Sequence, residues 1–205
     1  MSGETEPPPV VVEERGTLAV LRIDRPGRRN SISLATLSNL DQAFSSLSTR
    51  TDIDAIIFTG TGDAFASGAD IRELRTLTPD TARAFAERGQ NLFQRIANAR
   101  QLTIAAVNGY CMGGGLDLAL ACRLRVASPA AVFAHPGARL GIITGWGGTQ
   151  RLPRLIGHAR ALEMFTTPRR LSGTEALEVG LIDELSEDAL ARAVEMARGA
   201  AGQEK

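Results

Sequence analysis

The sequence predicts an α/β protein, and three observations carry that prediction. Apolar runs of strand length alternate with helix-period segments through most of the chain. Two of the strand-like runs lead into glycine turns that precede helices. An apolar content of 43% against 22% charged residues suits a packed core, and 205 residues suit one domain.

Thr17–Ile23 reads as a strand, with Val10–Glu14 as its partner across Arg15-Gly16. Arg25-Pro26-Gly27 is a turn. Ser33 is placed to cap a helix running to about Leu47, with Leu37, Leu40, Phe44 and Leu47 along one face. Ile53–Thr59 reads as a buried strand, followed by a glycine turn and the segment AFASGADIREL. Pro79 opens a long helix whose Phe85, Leu92, Phe93 and Ile96 share a face. Leu102–Val107 is another buried strand, and Gly113-Gly114-Gly115 opens the next helix. Arg123–Ala127 and Ala131–His135 read as short strands, Gly145–Gly148 as a loop, and the chain beyond Thr149 as mostly helical. Residues 1–9, acidic and ending in Pro7, Pro8 and Pro9, read as a disordered leader. Residues 10–205 then form one domain, with a core to about residue 150 and a helical region over 151–205.

Composition excludes several functions. Basic and acidic residues balance at 23 each, so no basic excess points to nucleic acid and no polybasic tract to a membrane surface. No run approaches the roughly 20 apolar residues of a membrane span. Every basic residue except Lys205 is arginine, which removes lysine chemistry from the domain. Imidazole chemistry has only His135 and His158. Cys111 and Cys122 lack zinc spacing and the density of a secreted scaffold, and are expected to be reduced thiols of a cytoplasmic protein. The turn GTGDAF has Phe65 where a dinucleotide loop wants glycine, and neither a phosphate-cradling Walker loop nor a serine elbow occurs.

What remains is a pair of glycine turns, Ser67-Gly68-Ala69-Asp70 and Gly113-Gly114-Gly115. Glycine lets backbone approach a ligand closely, and the first N–H groups of a helix lack internal partners. Two such turns facing one another would place two donors on one carbonyl oxygen, an oxyanion hole. The alternative is that the glycines serve close packing.

The segments AFASGADIREL, AVNGYCMGGGLDLALAC, GWGGTQRLPRLIG and SGTEALEVGLIDE, with RPGRRNSIS before them, closely resemble the enoyl-CoA hydratase/isomerase (crotonase) family from about Val11 to the end of the chain. The resemblance implies a spiral of ββα units with a helical C-terminal part, assembled as a homotrimer or homohexamer. It implies an acyl-CoA substrate and no cofactor, coenzyme A being part of the substrate. By position, the Ala69 and Gly114 N–H groups would form the oxyanion hole. Ala69, Asp70, Ile71 and Arg72 would line the path of the ligand, and Arg28 and Arg29 would lie near the coenzyme A turn.

Hydratases of this family use two glutamates, one to protonate carbon and one to activate water. Here the first position is Asp117 and the second is Gly137. Asp117 is either the remaining acid/base or a solvated or capping residue. His135 would share a strand face with Gly137 if Pro136 does not disturb the pleat, and either handles a proton or packs. Ser67 and Thr144 are weaker polar candidates, and Trp146 and Tyr110 are expected to pack. An aspartate in the first position also occurs in the dienoyl-CoA isomerase branch, whose further acids would fall near Gly137 and Gly145. Naphthoate-synthase-like members have glycine in the second position but place an aspartate near Thr144. By the resemblance, the last helices that family members carry would fall beyond residue 205. Three functions follow: an enoyl-CoA hydratase with one carboxylate; an isomerase, decarboxylase or thioester hydrolase of the same fold; or an acyl-CoA-binding subunit without activity.

Overall fold

The computed structural model describes residues 8–201, and the expected leader lies largely outside them. The chain begins with the antiparallel pair β1 (Val10–Arg15) and β2 (Leu18–Ile23). A 3-10 turn over Pro26–Arg28 leads to Ser33, whose side chain accepts the Thr36 N–H and starts α1 (Leu34–Ser48). Then follow β3 (Ala55–Gly60), β4 (Ala64–Ala66), α2 (Ile71–Leu74) and α3 (Pro79–Ala97). Thr78 and Thr81 cap α3 reciprocally, with Pro79 in its first turn. The chain continues through β5 (Leu102–Val107), β6 (Tyr110–Met112), α4 (Gly114–Ala121), β7 (Leu124–Ala127) and β8 (Val132–Ala134). The last part holds α5 (Gly148–Ile156), α6 (His158–Thr166), β9 (Leu171–Ser172), α7 (Gly173–Glu178), β10 (Glu184–Leu185) and α8 (Ala189–Ala201).

The strands form two sheets, one of order β1-β2-β3-β5-β7-β10 and one of order β4-β6-β8-β9. Each of the successive pairs β3/β4, β5/β6 and β7/β8 sends its first strand to the large sheet and its second to the small one. That repetition winds the chain into a crotonase spiral. Strands β2, β3, β5, β7 and β10 run parallel, and coverage of both faces explains the near-continuous apolar sequences of β2, β3 and β5.

Alternate residues of the large sheet enter two cores. Ala19, Leu21, Ile56, Phe58, Ala105 and Val107 join the main core with α1, α3 and α4. Leu18, Val20, Ala55, Ile57, Ile104 and Ala106 face α8 through Ala189, Ala193, Val194 and Ala197. The C-terminal region supplies a layer through α8, and it also contributes β9 and β10 to the sheets. Among the described residues no helix is long and apolar enough to cross a membrane.

Candidate active site

The parallel strands β4, β6 and β8 end side by side in the small sheet. Ser67, Gly68 and Ala69 follow β4, Gly113 and Gly114 follow β6, and His135 follows β8. The carboxyl ends of parallel strands are where open α/β sheets gather ligand groups. All six residues border one cleft of about 260 Å³.

The two glycine turns touch. Gly68 has φ 100° and Gly113 has φ 49°, a region that side chains rarely enter. A Cβ on Gly68 would lie 3.4 Å from the Gly114 nitrogen, and a Cβ on Gly114 would lie 3.5 Å from the Ala69 nitrogen. Neighbouring amides are engaged: Ile32 N–H donates to Gly68 O at 2.8 Å, Asp70 N–H to Ile32 O at 3.1 Å, and Gly113 N–H to Ala134 O at 2.9 Å. Among the described residues, the Ala69 and Gly114 N–H groups donate no main-chain hydrogen bond. Gly114 opens α4, so its N–H has no partner within the helix. A donor at the start of α4 and a second from the neighbouring turn would favour negative charge on an oxygen placed between them.

Asp117 lies one turn inside α4 and is 0% exposed, so it is neither solvated nor a cap. Its Oδ2 accepts bonds from the Thr144 hydroxyl and from the Trp146 N–H at 3.2 Å. Its Oδ1 has no hydrogen-bond partner and faces His135 Nε2 at 3.7 Å. Burial pushes the Asp117 carboxyl up to about 6, against the pull of the Thr144 hydroxyl and the Trp146 amide. Asp117 does not border the cleft, whereas Thr144 and His135 do.

His135 is 3% exposed and packs its ring against Phe165, with centroids 4.9 Å apart. Among the described residues neither ring nitrogen has a hydrogen-bond partner, and burial lowers its pKa to about 4. The expected shared strand face of His135 and Gly137 is corrected here. β8 stops at Ala134, and a 3-10 turn over Pro136–Leu140 begins with His135 as its N-cap, so the period of two ends too early. A Cβ on Gly137 would meet the Ile142 carbonyl oxygen at 2.5 Å, and the Ile142 N–H donates to Gly137 O at 3.1 Å. The place where a second carboxylate was sought is filled by main chain.

Ile71, Ser67 and Thr144 border the cleft. Asp70 turns elsewhere: it caps α2 through the Arg72 N–H at 3.0 Å, accepts the Ser31 hydroxyl at 3.2 Å and faces Arg25 at 3.9 Å. Arg28, Arg29 and Arg72 are exposed and do not line the cleft, and the Arg29 guanidinium lies 5.4 Å from the centre of the Tyr110 ring. Sequence reasoning gave Phe165 no place in the site, and no spacing marks it. Trp146 was expected only to pack. It does so against Phe85 and Phe93, and its ring also fills the space where Gly89 and Gly114 have no side chain. Leu74, Leu77, Phe85 and Trp146 make the cleft apolar, and Leu140, Ile142 and Ile143 rim it. Its polar side chains are those of Ser67, His135 and Thr144, so it suits an apolar chain that carries one polarised carbonyl.

The family model described as enoyl-CoA hydratase/isomerase matches residues 13–203. The chain belongs to the enoyl-CoA hydratase/isomerase family. It is 37% identical over 179 residues to the short-chain-enoyl-CoA hydratase of Clostridium acetobutylicum, an alignment covering 87% of this chain and 69% of that protein. It is 38% identical over 177 residues to the crotonyl-CoA hydratase of Syntrophomonas wolfei, covering 86% and 68%. Among solved structures, the enoyl-CoA hydratase from Bacillus anthracis superposes with a TM-score of 0.90 at 34% identity, over 94% of this chain and 76% of that one. This member of the enoyl-CoA hydratase/isomerase family therefore has the crotonase fold, with glycine at position 137 and a buried aspartate at 117.

Proposed function

We propose that this protein is an acyl-CoA thioester enzyme that stabilises an enolate between the Ala69 and Gly114 N–H groups. The observation that carries the reading is the contact of these two turns, each with an N–H that has no main-chain acceptor and each bordering the same apolar cleft. Removing or adding a proton at the α-carbon of a thioester moves charge onto its carbonyl oxygen. Fixed amides answer that charge without reorganising, and one such donor is worth about 3 kcal/mol in a transition state. The apolar wall takes the acyl chain. Arg29, whose carbonyl accepts the Ser67 N–H at 3.0 Å, and Arg72 in α2 stand beside the turn that bears Ala69. With Arg28 they are the cations proposed to meet the coenzyme A phosphates. The chemistry needs no resident cofactor. The relatives' names supply hydration of an enoyl-CoA as the first reaction, and a cytoplasmic homotrimer or homohexamer is the assembly proposed with it.

The closed position at Gly137 favours a second reading, an enoyl-CoA isomerase or decarboxylase. No carboxylate borders the cleft, and moving a double bond needs only one base. Turnover of 2-enoyl, 3-enoyl and malonyl-type thioesters separates the reactions by product. Isotope-edited infrared spectra of a bound acyl-CoA labelled at the carbonyl test the amide pair directly. A fall in the C=O frequency on binding is expected; an unchanged frequency in a bound ligand rejects the proposed hole, and binding without any turnover leaves an acyl-CoA-binding subunit.

A further inference from the structure

We propose that His135 is the catalytic residue that carries the proton in this cleft, with Asp117 as the residue that positions it. The proposal rests on the acyl-CoA reading above. Of the polar side chains that border the cleft, His135 alone is an acid/base; the others are the hydroxyls of Ser67 and Thr144. It is 3% exposed, and neither ring nitrogen has a hydrogen-bond partner among the described residues. A buried imidazole left in that state is costly unless a ligand supplies the missing partner.

The surroundings determine how the ring would work. Asp117 Oδ2 accepts from Thr144 and from the Trp146 amide, while Oδ1, beside the Gly148 main chain, lies 3.7 Å from His135 Nε2. A small rotation of the ring closes that gap to a hydrogen bond. With Nε2–H directed to Asp117, Nδ1 is the remaining nitrogen; it too is buried, so the proposed step includes a turn of the ring that brings Nδ1 to the substrate. Phe165 holds the other face of the imidazole. Gly148 keeps this space open, because a Cβ there would lie 2.1 Å from Asp117 Oδ1.

For a 3-enoyl thioester the step balances as follows. Nδ1 takes a proton from the α-carbon, and the C–H electron pair becomes the enolate whose oxygen charge sits at the Ala69 and Gly114 amides. The imidazolium, held by Asp117, returns the same proton to the γ-carbon. The double bond moves by one position and no atom is gained or lost.

The test combines kinetics with imidazole NMR on the full chain. His135→Gln is expected to lower kcat on 3-hexenoyl-CoA by roughly 10²–10⁴-fold, with the calorimetric Kd for butyryl-CoA changed by less than about threefold. Asp117→Asn is expected to lower kcat by a smaller factor and leave KM in place, as removal of a positioning group should. With only two histidines in the chain, His158→Gln assigns both imidazole signals, and saturating butyryl-CoA is expected to shift the His135 signal in the wild-type protein. If His135→Gln fails to fold, the wild-type NMR result decides by itself. Undiminished turnover in folded His135→Gln, or an unmoved His135 signal under saturation, overturns the proposal while the acyl-CoA reading stands. Failure of the wild-type protein to bind butyryl-CoA overturns both.

Discussion

Asp117 and His135 oppose each other in their response to acid. The Asp117 carboxyl is raised from 3.8 to about 6 in the folded chain, so the unfolded state releases its proton first. Its contribution is fully present below pH 3.8 and is lost as pH rises through about 6. His135 is lowered from 6.5 to about 4, so its contribution is present above pH 6.5 and is lost as pH falls through about 4. Each amounts to about 3 kcal/mol, and over this shared window they nearly cancel. Asp117→Asn is therefore expected to make stability rise with pH between about 4 and 6.5, and His135→Gln to make it fall. Urea melts of both variants across that range check the two opposite slopes. Gly148→Ala would place a methyl against Asp117 Oδ1 and is expected to destabilise by about 1–3 kcal/mol in the same melts. The two glycine turns were legible in the sequence because glycines and a helix start leave a local signature. The inward burial of Asp117 and its contact with His135 were not, because they depend on the loop from Thr144 to Gly148 closing over α4 from far along the chain.

Most elements with a strong local pattern stand where periodicity put them. The β1–β2 pair, α1 with its Ser33 cap, α3 behind Pro79, and β5 each combine a clear apolar period with a turn or cap residue. The strands β6, β9 and β10, of three, two and two residues, are too short to show a period and are defined by neighbours in the sheet. The turn after β8 was misread because Pro136 stops the strand one residue before His135. Two predictions belong at this scale. Gly137→Glu is not expected to create a two-carboxylate hydratase; it should destabilise the 3-10 turn by about 1–3 kcal/mol, because its Cβ meets the Ile142 carbonyl. A hydration assay beside a thermal melt checks this, and a large gain in hydration rate would refute it. Trp146→Ala removes the ring that fits against Gly89 and Gly114 and is expected to cost about 3–5 kcal/mol, read in urea melts.

At the scale of the molecule, the spiral gathers the ends of three parallel strands and one helix start at a single cleft, so neighbouring turns of the chain share one binding region. Leu140, Ile142 and Ile143 stay exposed at its rim, and Ile143 is 61% exposed. Leu162 on α6 and Leu177 on α7 are exposed as well. For the proposed homotrimer or homohexamer, light scattering on the eluted protein is expected to give about three or six times the 21.8 kDa chain mass; a particle of one chain mass counts against that assembly. The site carries its own optical probe. Trp146 is the chain's sole tryptophan, and its indole forms part of the wall that an acyl group would touch. Intrinsic fluorescence can therefore follow occupancy of the unlabelled wild-type protein in a stopped-flow mixer, timing ligand arrival separately from chemistry.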